Sequence, residues 1–148
     1  MATNEEIINN LYAVAEGAQR DAQKFASLFH ENGYFQDESS GMRLQAHDVG
    51  RLIEAVSGAF PDMHRELLRM YTTAEAVIVE LRLQGTHTGD FHTGEGVLPA
   101  TGRTFDVPCC DVFRLRDGKV EAFHCYNQLS VWLKQLGALE NLAAAMKR

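Results

Sequence analysis

The chain has 148 residues, 45% of them hydrophobic and 23% charged, and its formal net charge is -6. This length and balance are typical of one soluble domain with a real core, so residues 1–148 are interpreted as a single domain. An acidic chain without a basic run is not expected to bind nucleic acid or an anionic membrane. No apolar run approaches the roughly 18 residues that a membrane helix needs, and the N-terminus lacks a signal-peptide pattern, so we expect a cytoplasmic protein.

The first part of the chain has helical periodicity. Apolar residues at helical spacing predict two consecutive helices between residues 4 and 31, the first ending near Gly17. Turn-forming residues follow, around a short extended piece at residues 34–36. A third helix is expected after Asp48, which is a candidate N-cap, and Pro61 should end it.

The remainder of the chain is predicted to be mostly β. Alternating patterns indicate strands at residues 63–71, 75–87, 103–116 and 120–128, and "DGK" joins the last two as a tight hairpin turn. Residues 88–102 hold four glycines and a proline, which is typical of a loop with room for a short hairpin. A terminal helix should end at Gly137, with a weaker helical tail to Arg148. Helices followed by antiparallel strands indicate the α+β class, with helices on one face of a strongly bent sheet that encloses a pocket.

Asp111 is the first candidate for chemistry. It shares one face of its predicted strand with four apolar residues: Phe105, Val107, Cys109 and Phe113. A carboxyl group on an apolar face is desolvated, its pKa rises, and it can donate a hydrogen bond to a developing oxyanion. Phe113 is then a candidate contact for an apolar substrate. The alternative is an exposed strand with Asp111 in water or paired to an arginine.

The next strand carries a second candidate group. His124, Tyr126 and Gln128 have the same parity as Val120 and Ala122, so all three line the cavity if that face is the concave one. Histidine exchanges protons near neutral pH, whereas tyrosine and glutamine can orient a carbonyl group. The alternative is a polar network that only shapes the core.

Other candidates have weaker signals. Asp37 follows two aromatic residues in a turn, and Tyr12 lies on the first helix; an ordinary turn aspartate and a core tyrosine are the common cases. The loop residues His87, Asp90, His92 and Glu95 match no established metal pattern, and His87 is expected at the pocket mouth. The three cysteines, Cys109, Cys110 and Cys125, are too few and too unevenly spaced for disulfides or zinc. They are interpreted as reduced thiols, and no metal or cofactor is expected.

Several segments together resemble a known family. "GTHTGDF", "LPATGRTFDV", "DVFRLRDGKV" and "QLSVWLKQLG" are similar to the SnoaL-like polyketide cyclases, or ester cyclases, of the nuclear transport factor 2-like superfamily. The similarity runs from about residue 60 to residue 139. It implies a cone-shaped, cystatin-like α+β barrel in which N-terminal helices pack on a curved antiparallel sheet around a pocket. It also implies homodimers that pair through their sheets.

The resemblance also implies a reaction. Cyclases of this family close a polyketide ring by intramolecular aldol condensation, without metal or cofactor, and an acid–base aspartate ends their last strand. Counting back from "QLG" puts that position at Gln128, whose carboxamide cannot take a substrate proton at neutral pH. The sequence thus departs from the family at the residue that carries its chemistry.

A fainter resemblance is to the ketosteroid isomerases, which share the superfamily fold. Their oxyanion acid lies in a "D-x-F-R-F" strand, as Asp111 does in "DVFRL". Their base follows an extended "TVED" piece similar to "YFQD", which ends at Asp37, and their oxyanion tyrosine lies on the first helix, like Tyr12. This resemblance implies that the three residues converge on one pocket.

Three functions remain open on this evidence. The first is a cofactor-free cyclase or isomerase acting on a small apolar carbonyl or polyketide-like compound, with Asp37 or His124 as the base. The second is a non-catalytic, dimeric ligand-binding module that lost the cyclase acid. The third is an epoxide hydrolase, which needs an arginine on the pocket face, and none is evident from the sequence.

Overall fold

The computed structural model describes residues 2–93 and 95–139. Within these residues the α-helices are α1 (Asn4–Ala13), α2 (Ala22–Ser27), α3 (Gly50–Ala59) and α4 (Leu129–Gln135). The strands are β1 (Phe29–Asp37), β2 (Arg43–Gln45), β3 (His64–Thr72), β4 (Ala76–Thr86), β5 (Phe91–Thr93), β6 (Gly96–Leu98), β7 (Thr104–Arg116) and β8 (Lys119–Asn127). No helix in the described ranges is long and apolar enough to cross a membrane. The helical tail predicted up to Arg148 lies outside the described residues.

Side-chain caps explain where the first two helices begin. Thr3 accepts a hydrogen bond from the Glu6 amide at the start of α1, and Asp21 accepts one from the Lys24 amide at the start of α2. The cap predicted for α3 is wrong: a 3-10 turn at Ala46–Asp48 precedes this helix, and Val49 occupies the N-cap position without a side-chain bond. The predicted α+β class is confirmed.

The main sheet has six strands in the order β2-β1-β8-β7-β4-β3, and β5 pairs with β6 as a separate hairpin. β1 runs parallel to β8, while every other neighbouring pair in the sheet is antiparallel. The sheet is therefore mixed rather than wholly antiparallel as predicted. The β7–β8 turn has the predicted form, with both Asp117 and Gly118 at positive φ.

A β-bulge in β8 decides which side chains face the helices. Leu115 pairs with Val120 and Arg114 pairs with Ala122, so Glu121 is an extra residue in β8. Beside it, β1 is also irregular, and a Cβ on Gly33 would lie only 2.5 Å from the Val120 carbonyl oxygen. The bulge therefore shifts the alternation of β8 by one position, so that residues with the same parity as Val120 face the outer side after it.

The two faces of the sheet differ in cover. The inner face, which α1 and α4 cover, carries the buried residues Val107, Cys109, Asp111, Phe113 and Leu115 of β7. Phe113 packs on Phe123 with 4.3 Å between ring centroids, and Tyr12 of α1 meets Phe113 edge to face. The side chains that alternate with these along β7, and their neighbours on β8, lie on the outer face. The inner face thus holds the core and the buried acid.

Candidate active site

Asp111 lies on the inner face, as predicted from the apolar pattern around it. Its side chain is buried, and the residue is 3% exposed. Burial raises the pKa of this carboxyl group; hydrogen bonds from Tyr12, Cys109 and Cys125 and the charge of Arg65 act in the opposite direction without cancelling that effect. Asp111 is therefore an acid in an apolar environment, suited to hold a proton.

Tyr12 is the direct partner of Asp111. Its hydroxyl donates to Asp111 Oδ2 at 2.7 Å, across 99 positions of sequence. Burial, together with the adjacent Asp111 charge, raises the pKa of Tyr12 well above its usual value. The two residues that were chosen from weak sequence signals thus form one buried hydrogen-bonded pair.

Arg65 is a site residue that the sequence analysis missed. It pairs with Leu83 in the sheet, which places it on the inner face, and its side chain is 11% exposed. Its Nη1 lies 3.5 Å from Glu16 Oε1, and its charge acts to lower the pKa of both Tyr12 and Asp111. The arginine that an epoxide-opening site requires is thus present on this face. The sequence signal that could have identified it is its position two residues before Leu67, which puts both side chains on the same face of the strand.

A groove at the surface reaches Tyr12, the partner of Asp111. It lies between α1 and β3, has a volume of about 460 Å³, and includes Tyr12, Glu16, Arg65 and Leu67 in its walls. The groove is open along one side rather than enclosed. Tyr12 and Arg65 are the wall residues that also act on Asp111.

Two thiols extend the site along β7 and β8. The Cys109 Sγ lies 3.4 Å from Asp111 Oδ1 and 3.7 Å from Cys125 Sγ. Cys125 also accepts a hydrogen bond from the Asn127 amide at 3.5 Å. The hydrogen bond with Cys125 and burial raise the pKa of the Cys109 thiol. Cys110 faces the other side of the sheet, as expected for a neighbour in a strand.

Asp37 is connected to this row of side chains through one amide. The Asn127 Nδ2 donates to Asp37 Oδ1 at 3.0 Å, and Asp37 pairs with Cys125 in the parallel ladder. The hydroxyl groups of Ser39 and Ser40 also donate to the two carboxylate oxygens, at 2.7 and 2.8 Å. Asp37 therefore forms a turn, as the common case predicts, and also lies on the side of the sheet that carries Asp111.

The placement predicted for His124, Tyr126 and Gln128 is wrong. The bulge at Glu121 puts His124 opposite Val112 and Tyr126 opposite Cys110, on the outer face. Tyr126 is 47% exposed, and Gln128 is exposed at the start of α4. The parity argument from Val120 failed because one extra residue intervenes.

His124 instead belongs to a polar cluster on the outer face. Its Nε2 is 2.7 Å from the Tyr34 hydroxyl, and its Nδ1 is 3.8 Å from Glu38 Oε1. The guanidinium of Arg43 stacks over the Tyr34 ring at 3.8 Å. The sheet separates this histidine from Asp111.

His87 is fully buried instead of lying at a pocket mouth. The Thr101 amide donates to its Nδ1 at 3.2 Å, and its ring packs against Phe60 and Phe91. Its Nε2 has no hydrogen-bond partner among the described residues. Phe91 belongs to the β5–β6 hairpin, so this part of the loop closes over His87 and makes it a core residue.

Comparisons with known proteins agree with this architecture. A family model for the SnoaL-like domain matches residues 9–123. The chain resembles a solved structure described as a SnoaL-like polyketide cyclase from Jannaschia sp. CCS1, with 21% identity, a TM-score of 0.79, and coverage of 91% of this chain and 92% of that one. It is also similar to IdmH from Streptomyces antibioticus, described as a polyketide cyclase, with 22% identity, a TM-score of 0.74, and coverage of 92% and 99%.

A third structure links the fold to the isomerases. It is a Catenulispora acidiphila protein with a ketosteroid isomerase-like fold, solved with trimethylamine, and it shares 20% identity at a TM-score of 0.75 over 91% of this chain and 95% of that one. No curated protein matches the sequence significantly. These likenesses define a ketosteroid isomerase-like fold of the nuclear transport factor 2-like class. Since the family model covers well over half of the 148 residues, the chain belongs to the SnoaL-like domain family.

Proposed function

We propose that this protein is an enzyme that uses acid–base chemistry of its side chains on a small, mostly apolar carbonyl compound, through an enolate. The observation that carries the proposal is the buried 2.7 Å hydrogen bond between the Tyr12 hydroxyl and the Asp111 carboxyl group. Donors held in an apolar environment stabilise developing negative charge more strongly than the same groups do in water. This pair beside an open groove therefore suits the oxygen of an enolate.

Asp37 is the proposed base. A carboxylate at the end of β1 takes the proton from the carbon next to the substrate carbonyl, and the electron pair of that C–H bond moves into the enolate. In an isomerase the proton returns at another carbon. In a cyclase the enolate carbon attacks a second carbonyl carbon, a C–C bond forms, and the resulting alkoxide takes up the proton. His124 has no part in this scheme because it lies on the outer face.

Arg65 gives the groove its polarity. Its partly buried guanidinium is shared with Glu16, so the groove wall presents a hydrogen-bonding cation beside apolar Leu67. Such a wall suits a substrate with one polar end and an apolar body. Epoxide opening is a further outcome that a substrate panel should include, because it needs an arginine near a buried acid.

The second candidate function is a non-catalytic ligand-binding module, which forms homodimers. Two observations favour it: Gln128 replaces the acid expected from the family, and both Asp37 oxygens already accept hydrogen bonds from serine hydroxyls. The outer face supports the dimer, because it exposes Tyr71, Ile78 and Tyr126 around a groove of about 400 Å³. Analytical sedimentation of the wild type and of the Ile78→Lys variant tests whether a second copy of the chain binds to this face.

The test of the enzyme is exchange of substrate α-protons in D₂O. Apolar β,γ-unsaturated ketones, β-diketones and aryl epoxides are incubated with the protein and followed by proton NMR. Wild-type protein should catalyse exchange or isomerisation of a ketone, and Asp111→Asn should lower the rate by about 100-fold or more. Tyr126→Phe on the outer face is the matched control and should exchange at the wild-type rate.

The outcome also separates the two candidates. If no compound is turned over and apolar ketones still raise the melting temperature, the protein is a binding module. If Asp111→Asn and wild type exchange protons equally fast, the Tyr12–Asp111 pair is not the site of the chemistry.

A further inference from the structure

Three potential metal ligands meet at the centre of the inner face. The sulfurs of Cys109 and Cys125 and a carboxylate oxygen of Asp111 all lie within 4.8 Å of one another. Asp111 and Cys125 are directly opposite in the β7–β8 ladder, and Cys109 is two residues before Asp111 on the same face. Strand pairing therefore assembles a cluster from residues that are 16 positions apart in sequence.

The spacing of these atoms fits a tetrahedral ion. Two sulfurs bound to zinc at about 2.3 Å lie about 3.8 Å apart, and a sulfur and a carboxylate oxygen bound at about 2.0 Å lie about 3.5 Å apart. The corresponding distances here are 3.7 Å between Cys109 and Cys125, and 3.4 Å between Cys109 and Asp111. Two edges of a zinc tetrahedron are thus already present.

A disulfide fits the same cysteines less well. Cys109 is opposite Asn127, and Cys125 is opposite Asp111, so the two cysteines are diagonal neighbours in the ladder. Diagonal positions in an antiparallel pair have Cα atoms about 7–8 Å apart. An unstrained disulfide usually requires about 4.4–6.8 Å. A bridging ion needs no such approach of the two strands.

The surrounding residues orient the ligands as metal sites require. Tyr12 donates to Oδ2 of Asp111, which leaves Oδ1 directed at the sulfurs. The Asn127 amide donates to the sulfur of Cys125. In known metal sites, hydrogen bonds of this kind to the residues that bind the ion fix the orientation of those residues. Two thiolates and a carboxylate around a divalent ion leave one negative charge, and the nearby Arg65 is of the opposite sign.

We propose that Cys109, Cys125 and Asp111 form a binding site for one thiophilic divalent cation, Zn²⁺, with a water molecule as the fourth ligand. Thiolates select zinc over magnesium or calcium. The evidence for this site does not include the proposed enzymatic function, but the two sites share Asp111, and a bound ion would take Asp111 out of proton donation. Zinc should therefore inhibit any turnover that depends on Asp111.

Cobalt is the spectroscopic probe for this site. The reduced full-length protein is titrated with Co²⁺, and then with Zn²⁺ to displace it. The wild type should bind one equivalent and show sulfur-to-cobalt charge transfer together with visible bands of tetrahedral cobalt. Cys109→Ser and Cys125→Ser should each lose these bands, while Cys110→Ser, whose thiol is on the outer face, should keep them. Tyr12→Phe should weaken zinc binding about tenfold.

The wild-type titration tests whether the metal site exists even if a cysteine variant does not fold. Absence of charge transfer in reduced wild type overturns the site, as does retention of the bands by folded Cys125→Ser. Loss of the bands in Cys110→Ser would show that a surface thiol binds the probe, which also overturns it. A mass loss of two hydrogens in wild type before reduction, with no metal uptake after it, identifies a redox pair instead.

Discussion

The inner and outer faces of the β7–β8 pair carry two different clusters of polar side chains, which only the thickness of the sheet separates. On the inner face, Asp111 and Tyr12 are buried, and a short hydrogen bond joins them in an apolar environment. On the outer face, His124 and Tyr34 also form a 2.7 Å contact, but with Glu38 and Arg43 around them and solvent nearby. Similar distances thus occur in environments of very different polarity.

This difference shows why a short contact alone does not define a reactive site. Electrostatic interactions in a dry environment are several times stronger than in one that solvent reaches. Burial raises the pKa of Asp111, whereas the outer cluster contains charged partners that remain accessible. Substitutions that act on one face at a time should therefore have unequal effects.

The largest effect on stability is expected from the inner face. Phe113→Ala removes a fully buried ring that packs on Phe123 and Tyr12. The free energy of unfolding should fall by about 3–5 kcal/mol, because a cavity replaces the ring. Urea denaturation measures this loss. On the outer face, Val112→Ala is the control on the same strand, and an equal loss there would contradict the asymmetry.

The largest effect on catalysis is expected from Asp37. Asp37→Asn keeps the shape of the side chain but removes its basicity, so kcat for α-proton exchange should fall by about 100- to 1,000-fold. Glu38→Gln, one residue later, is the matched control and should retain activity. If Asp37→Asn and Glu38→Gln exchange protons at the same rate, another residue is the base.

Tyr12→Phe tests the buried pair itself. The change leaves one Asp111 oxygen without its donor, so the free energy of unfolding should fall by about 1–3 kcal/mol. In an Asp111→Leu background the same change should cost much less, because the two residues act as a unit. Additive losses in the double variant would show that the hydrogen bond contributes little.

The smallest effect is expected from His124. His124→Gln keeps a hydrogen-bonding group beside Tyr34 on the outer face, so stability should change by about 0.5 kcal/mol or less. Proton exchange should remain within about twofold of wild type, since the sheet separates this residue from the groove. Melting temperature and exchange rate together measure both expectations.

The fold could be predicted from the sequence because its periodicity is strong. Alternation along β7 placed Asp111 on a buried face correctly, and Gly137 and Pro61 marked the ends of helices that the structure contains. Tyr12 and Asp37 had only weak local signals, and the resemblance to the isomerases is what grouped them with Asp111.

Other parts of the site depend on pairing between distant strands. The bulge at Glu121 has no glycine or proline to mark it, so the parity of His124 was assigned to the wrong face. Arg65 was overlooked because a charged residue in a strand usually faces solvent. The cluster of Cys109, Cys125 and Asp111 follows from the register of β7 against β8, which sequence spacing does not contain.

The most direct test of the central claim compares Asp111→Asn with His124→Gln in one α-proton exchange assay, on whichever ketone the wild type turns over. Chemistry on the inner face predicts that Asp111→Asn loses about 100-fold in rate while His124→Gln stays close to wild type. An unchanged rate in Asp111→Asn with a loss in His124→Gln would place the chemistry on the outer face and contradict the account.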